Sequence, residues 1–165
     1  MECQTLVSLT IKINKMIACH DLRTGNIILV NNSLRKVTMI SNSETLTDQS
    51  LVGVESIGYE RKEHYPVQEV QPVPMSDAIL QQCNFIYQRR FKFWQLINTD
   101  GEQTEMHIDP DYNLIDFMRR PVVKNISSLH QLQNIHYMLF NEELDFDVDT
   151  TVVVNGTVTS ILNSI

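Results

Sequence analysis

From Asp21 onward, apolar and polar positions fall into short runs separated by turn-forming residues. Thr24-Gly25-Asn26 reads as a turn, and Ile27-Ile28-Leu29-Val30 is an apolar run rich in β-branched side chains. Asn31-Asn32-Ser33 tolerates positive φ, so Lys36-Val37-Thr38-Met39-Ile40 reads as the returning strand of a hairpin. Ser50-Leu51-Val52-Gly53-Val54 and Glu55-Ser56-Ile57-Gly58-Tyr59 predict two more short strands. Short strands divided by Gly and Asn turns suggest a small curved sheet or a partial barrel.

The pattern changes at Gln71-Pro72-Val73-Pro74, where proline can continue neither a helix nor a central strand. Ser76 can then N-cap a short helix whose apolar face carries Ile79, Leu80 and Cys83, with Asp77 favourable to the dipole in its first turn. Phe91-Lys92-Phe93-Trp94-Gln95-Leu96-Ile97 is a strand by its aromatic and β-branched content. Asp100-Gly101 is a good hairpin turn pair, and Gln103 to Ile108 supplies the return. Phe91 and Phe93 lie on one face of that strand, Trp94 and Leu96 on the other. Either both faces are covered, or one is reserved for a partner.

After Pro121 the chain reads helical. Ser128 and Gln131 have capping-box spacing, and Leu129, Leu132, Ile135, His136, Leu139 and Phe140 fall within one apolar arc. His130, Gln133 and Tyr137 share an adjoining polar face, and Asn141 suits the position just past the end. Beyond it, Leu144, Phe146 and Val148 alternate with Asp145, Asp147 and Asp149, as on a strand with one wet face. Thr150 to Ile165 is β-prone, an edge strand or a tail.

Composition narrows the class. The chain has 165 residues, 42% apolar and 20% charged, which suits one compact unit with a real core. No window approaches the roughly 20 apolar residues of a membrane-spanning helix, so no membrane role is expected. A net charge of -7 argues against wholesale coating of nucleic acid. Cys3, Cys19 and Cys83 are odd in number and widely spaced, which fits a reducing cytoplasm and neither a disulfide framework nor a zinc site. Residues 1–15 differ in texture from the rest of the chain, and Met16 is a plausible start. They read as an upstream extension, or else as an added edge strand or frayed terminus. The expected organisation is therefore 1–15 as that extension, 16–74 as a β-rich half, 75–144 as an α+β half and 145–165 as a β-prone tail.

Few chemistries survive inspection. The five glycines form no phosphate-binding loop, and there is no GxSxG elbow. Both acidic runs, from Asp109 and from Asp145, lack the glycine and glutamate of a calcium loop. His130 and His136 are six apart, on different sides of a helix, so they cannot share a metal; His136 reads as a hydrogen-bonded core residue. A metal-dependent hydrolase would have to gather His107, Asp109 and His64 in space. The basic cluster is more specific. Arg89-Arg90-Phe91-Lys92-Phe93-Trp94 interleaves cations with aromatics, a composition that contacts phosphates and stacks bases, with Arg89, Arg90, Lys92 and Trp94 as the candidate contacts. Arg119, Arg120 and Lys124 add to it where the two segments lie close. The competing reading is a hairpin with basic residues flanking a core strand.

Three segments in order carry a resemblance: His20-Asp21-Leu22-Arg23-Thr24-Gly25-Asn26; Pro72-Val73-Pro74-Met75 leading to Cys83-Asn84-Phe85; and Leu129-His130-Gln131-Leu132-Gln133-Asn134 running to Asn141-Glu142-Glu143-Leu144. Together they resemble a group of small uncharacterised bacterial proteins of Bacteroidetes-type genomes, often near prophage or mobile-element genes. The resemblance spans Met16 to Leu144 and brings no assigned activity with it. The expected fold is α+β, a β-rich first half followed by a β-hairpin with two helices. The expected function is a non-catalytic accessory or protein-interaction module without cofactor, its partner a protein met through His130, Gln133, Asn134 and Tyr137. Nucleic acid bound through Arg89, Arg90, Lys92 and Trp94 is the alternative, and the metal-dependent hydrolase the second.

Overall fold

Asn31 and Asn32 hold φ of 50° and 60°, so β1 (Ile27–Val30) turns at once into β2 (Ser33–Ser41), with Val30 opposite Ser33. Two consecutive positive φ angles match the twist of a tight hairpin, and asparagine tolerates them. The computed structural model describes residues 16–41, 50–57 and 61–147, with the backbone of 59–60, 152–154 and 157–159. β3 (Leu51–Ser56) and β4 (Tyr59–Pro66) continue the antiparallel meander. A 3₁₀ turn at Val67–Glu69 then leads into β5 (Val70–Gln71), which pairs with β1. The order is β4-β3-β2-β1-β5, an open five-stranded sheet that does not close into a barrel. The strand expected at Glu55 to Tyr59 is instead the end of β3, a turn and the start of β4. β4 escapes an apolar-pattern search because it is an edge strand, and Arg61, Lys62 and Glu63 keep that edge charged.

The second half is more than a hairpin. β6 (Phe85–Gln88), β7 (Phe93–Ile97), β8 (Gln103–Ile108), β9 (Leu114–Ile115) and β10 (Pro121–Val123) form a second open antiparallel sheet, in the order β10-β9-β8-β7-β6. β6, β9 and β10 are too short to show a pattern of their own. α1 (Asp77–Gln82) is capped by Ser76 Oγ, which accepts from Ile79 N–H, as the sequence predicts. α2 (Leu129–Phe140) begins later than Pro121, because β10 takes that stretch. Its capping box is displaced by one residue: Gln131 Oε1 accepts from Ser127 N–H at 2.9 Å, and Ser128 makes no side-chain cap bond. Leu129 N–H donates instead to Val73 O at 2.9 Å. Asn141 ends the helix in the left-handed conformation, φ 56°, donating to Tyr137 O. The fold is mixed α+β, mostly β. The β-prone tail contains β11 (Val152–Val154) paired with β12 (Thr157–Thr159).

Two apolar cores meet at β1, which is buried on both faces. Ile28 and Val30 point into one core with Val37, Val52, Val54 and Val70. Ile27 and Leu29 point into the larger core, where α2 contributes Leu129, Leu132 and Ile135 and the second sheet contributes Trp94, Leu96 and Met106. That shared strand joins the halves. No helix among the described residues is long and apolar enough to cross a membrane.

Candidate nucleic-acid interface

The polar face of α2 is turned inward. Gln133, 2% exposed, accepts at Oε1 from Ile27 N–H at 2.8 Å, and His130 is 4% exposed. Asn134 Oδ1 accepts from Asn26 Nδ2 at 2.9 Å, and its own Nδ2 donates to Asp21 O at 2.8 Å. The Tyr137 ring lies 4.0 Å beneath the Arg23 guanidinium, which makes a two-pronged pair with Glu143, Nη2 to Oε2 at 2.8 Å. Of the residues expected to meet a partner, Gln133 therefore fastens α2 to β1, Asn134 and Tyr137 meet the loop before it, and His130 is buried. The physical reason is that a helix wedged between two sheets has little wet surface, so its polar side chains serve buried backbone. His136 is a core histidine, with Nδ1 3.0 Å from Glu142 O. The last turn of the predicted apolar arc overhangs the core, leaving Met138 and Leu139 exposed with Phe140 partly so.

The Arg23–Glu143 pair has a pH consequence. The guanidinium holds the Glu143 carboxyl below its ordinary range, chiefly by hydrogen bonding, while burial opposes the shift. A depressed carboxylate in the folded state stabilises fully above the unfolded-state pKa, and that contribution disappears as pH falls through the folded value. Glu143 is half exposed, so solvent screening limits the pair to about 0.5–1 kcal/mol. Glu143→Gln is expected to lower the urea midpoint slightly near neutral pH. The gap should close on acidification through the carboxylate range; an equal gap at both extremes would remove the pair from the pH dependence.

The exposed chemistry lies at the second sheet. In the β6–β7 turn, Gln88 O accepts from Phe91 N–H and Lys92 N–H at 3.0 and 2.7 Å, and Lys92 takes φ 55°. That turn puts Arg90, Phe91 and Lys92 on the surface. In the β9–β10 loop, the Asp116 carboxylate accepts from Arg120 N–H at 2.8 Å and Arg120 Nε at 2.9 Å. The backbone N–H foremost, then the guanidinium, hold Asp116 below its ordinary range against desolvation. Arg120 is thus occupied within its loop, while Phe117 and Met118 stand 82% and 61% exposed at the tip.

The loops converge. Arg90 and Arg119 guanidinium carbons lie 5.5 and 5.8 Å from the Phe91 ring centroid. Phe91 stacks on Phe93 at 5.8 Å and 15°, and Phe93 meets His107 at 4.5 Å and 37°. Burial pushes the His107 imidazole below its ordinary pKa despite Glu105, so it is neutral at neutral pH. Cations over ring faces are held by the ring quadrupole, within the usual reach of about 6 Å. Among the described residues, Arg89, Arg90, Lys92, Arg119 and Lys124 form no ion pair with a carboxylate.

Two of the sequence-predicted contacts are placed differently. Trp94 is 5% exposed in the core, with Tyr87 against it at 5.1 Å, so its ring cannot receive a base. Arg89 leans the same way, lining a depression with Asp77, Gln81 and Tyr87. Phe91 and Phe93 belong to the basic-aromatic run that the sequence offers; His107, which the sequence offers only as a metal or base candidate, is the addition to this surface. The hydrolase set is not assembled: His64 lies on β4 of the first sheet and His107 on β8 of the second, while Asp109 accepts from Asp111 N–H and the Asn113 side chain. No group of three metal-ligating side chains occurs among the described residues. Cys83 is buried, and burial alone pushes its thiol pKa far up. No protein-family model matches the chain, and no curated protein matches it in sequence.

Proposed function

We propose that this chain is a non-catalytic nucleic-acid-binding module whose contact surface is the end of the second sheet where the β6–β7 and β9–β10 loops meet. The observation that carries the reading is the convergence of Arg90 and Arg119 on the exposed Phe91 ring. Across Gln88 to Phe93 and Asp116 to Lys124 the only carboxylate is Asp116, already engaged by Arg120, so this end is basic within an acidic chain. An accessory role in a prophage or mobile-element setting is proposed on the sequence resemblance alone.

The test is fluorescence anisotropy with mixed-sequence single and double strands at several salt concentrations. About three phosphate contacts give a log–log slope near -2 for a single strand, so affinity should fall roughly 20-fold between about 50 and 200 mM salt. Arg90→Ala should weaken binding and flatten the slope by about one. Absence of binding to every strand at low salt would sink this reading. It would leave a protein-interaction module, which exposed Met138 and Leu139 on α2 support.

A further inference from the structure

We infer that the ligand is a single strand, its bases stacked on the stair formed by Phe91, Phe93 and His107 and its phosphates held by Arg90, Lys92 and Arg119. The inference rests on the nucleic-acid reading above and specifies the form of the ligand. Phe93 and His107 on the outer face of the second sheet and Phe91 in the adjoining β6–β7 turn, in successive contact at 5.8 and 4.5 Å, offer three neighbouring flat surfaces. An unpaired base presents a π-face to such a platform, whereas the stacked interior of a duplex does not. Sheet-borne aromatics commonly take two or three bases in this way.

Charge argues in the same direction. The net charge of -7 disfavours a long phosphate polymer, whereas the β6–β7 and β9–β10 loops gather cations with Asp116 as their one carboxylate, and Glu105 stands beside His107. A duplex contacted through backbone alone needs an extended basic surface, and the cations here are confined to two neighbouring loops. A short single-stranded stretch fits that footprint. Stacking supplies a component of affinity that salt does not remove. Phe117 and Met118 are exposed on the β9–β10 loop, the loop whose Arg119 lies over Phe91.

Three labelled probes of about 20 nucleotides, a length that spans one such platform, separate the possibilities: oligothymidylate, a mixed duplex, and an abasic strand with phosphates but no bases. The expected result is oligothymidylate binding at least about tenfold more tightly than either other probe, given typical stacking contributions per base. His107→Ala should lose about 5- to 100-fold on oligothymidylate and leave the abasic strand unchanged. Phe91→Ala, which also removes the ring beneath Arg90 and Arg119, should weaken oligothymidylate more than the abasic strand. Arg119→Ala should weaken both. Circular dichroism and urea midpoints matching the parent confirm that these surface variants fold. Equal affinity for all three probes would overturn the single-strand inference while keeping nucleic acid as the ligand. Polyglutamate competing as well as oligothymidylate would overturn it in favour of an acidic polypeptide. No binding to any probe at low salt would overturn both readings.

Discussion

Trp94→Ala is expected to destabilise the fold by about 3–5 kcal/mol, the range for emptying an aromatic site in a packed core. The residue is 5% exposed and shares the larger core with Leu96, Met106 and Ile108 of its own sheet and with Leu129 and Leu132 of α2. Urea unfolding should show the midpoint falling by on the order of 2 M with little change in slope. Phe91→Ala, in the turn two residues before Phe93 and 44% exposed, should stay within about 0.5 kcal/mol of the parent. The pair separates two meanings of an aromatic in a basic cluster. Folded Trp94→Ala protein, at low temperature or with a stabilising osmolyte, should bind oligothymidylate as the parent does. A stable Trp94→Ala protein that has lost binding would reverse the assignment, making Trp94 the platform.

The alternation Phe93, Trp94, Gln95, Leu96 already says that this strand has two unlike faces, and the structure covers the Trp94 face while half-exposing the other. What the sequence could not supply is register. A two-residue turn at Asp100-Gly101 would set His107 opposite Trp94, on the core side. The loop instead takes Asn98 to Glu102, pairing Ile97 with Gln103 and Gln95 with His107. Asn98 stabilises this wider loop by accepting from Glu102 N–H at 2.7 Å through its side chain. Because side chains alternate with period two, that change of parity brings His107 out beside Phe93. The convergence of Arg119 on Phe91 was equally hidden, since it depends on β9 and β10, two- and three-residue strands with no periodic signature. Helix α2 was legible in extent and in its Asn141 end. Its polar face was misread for a different reason: periodicity shows which residues share a side, and only the neighbouring sheet decides whether that side is wet.

That neighbour makes Gln133 the second large effect. β5 pairs only with Leu29 and Val30 of β1, so it stops short of Ile27, and the Ile27 N–H meets the amide of α2 instead. A helix side chain thereby completes the hydrogen bonding of a strand buried on both faces. Gln133→Leu keeps the volume and removes the acceptor, leaving a buried donor unsatisfied at a cost of about 1–3 kcal/mol. Gln133→Ala should cost about 1–2 kcal/mol more, because it also opens a void at roughly 24 cal/mol per Å³. Urea midpoints should therefore order parent, Gln133→Leu, Gln133→Ala. Amide exchange gives the local readout: the Ile27 N–H should lose protection in both variants, more than its core neighbour Ile28. A Gln133→Leu protein as stable as the parent, with Ile27 still protected, would mean that the seam is closed by apolar packing alone. In that case Asn134 and the Arg23–Glu143 pair would be left as the polar ties between α2 and the first sheet.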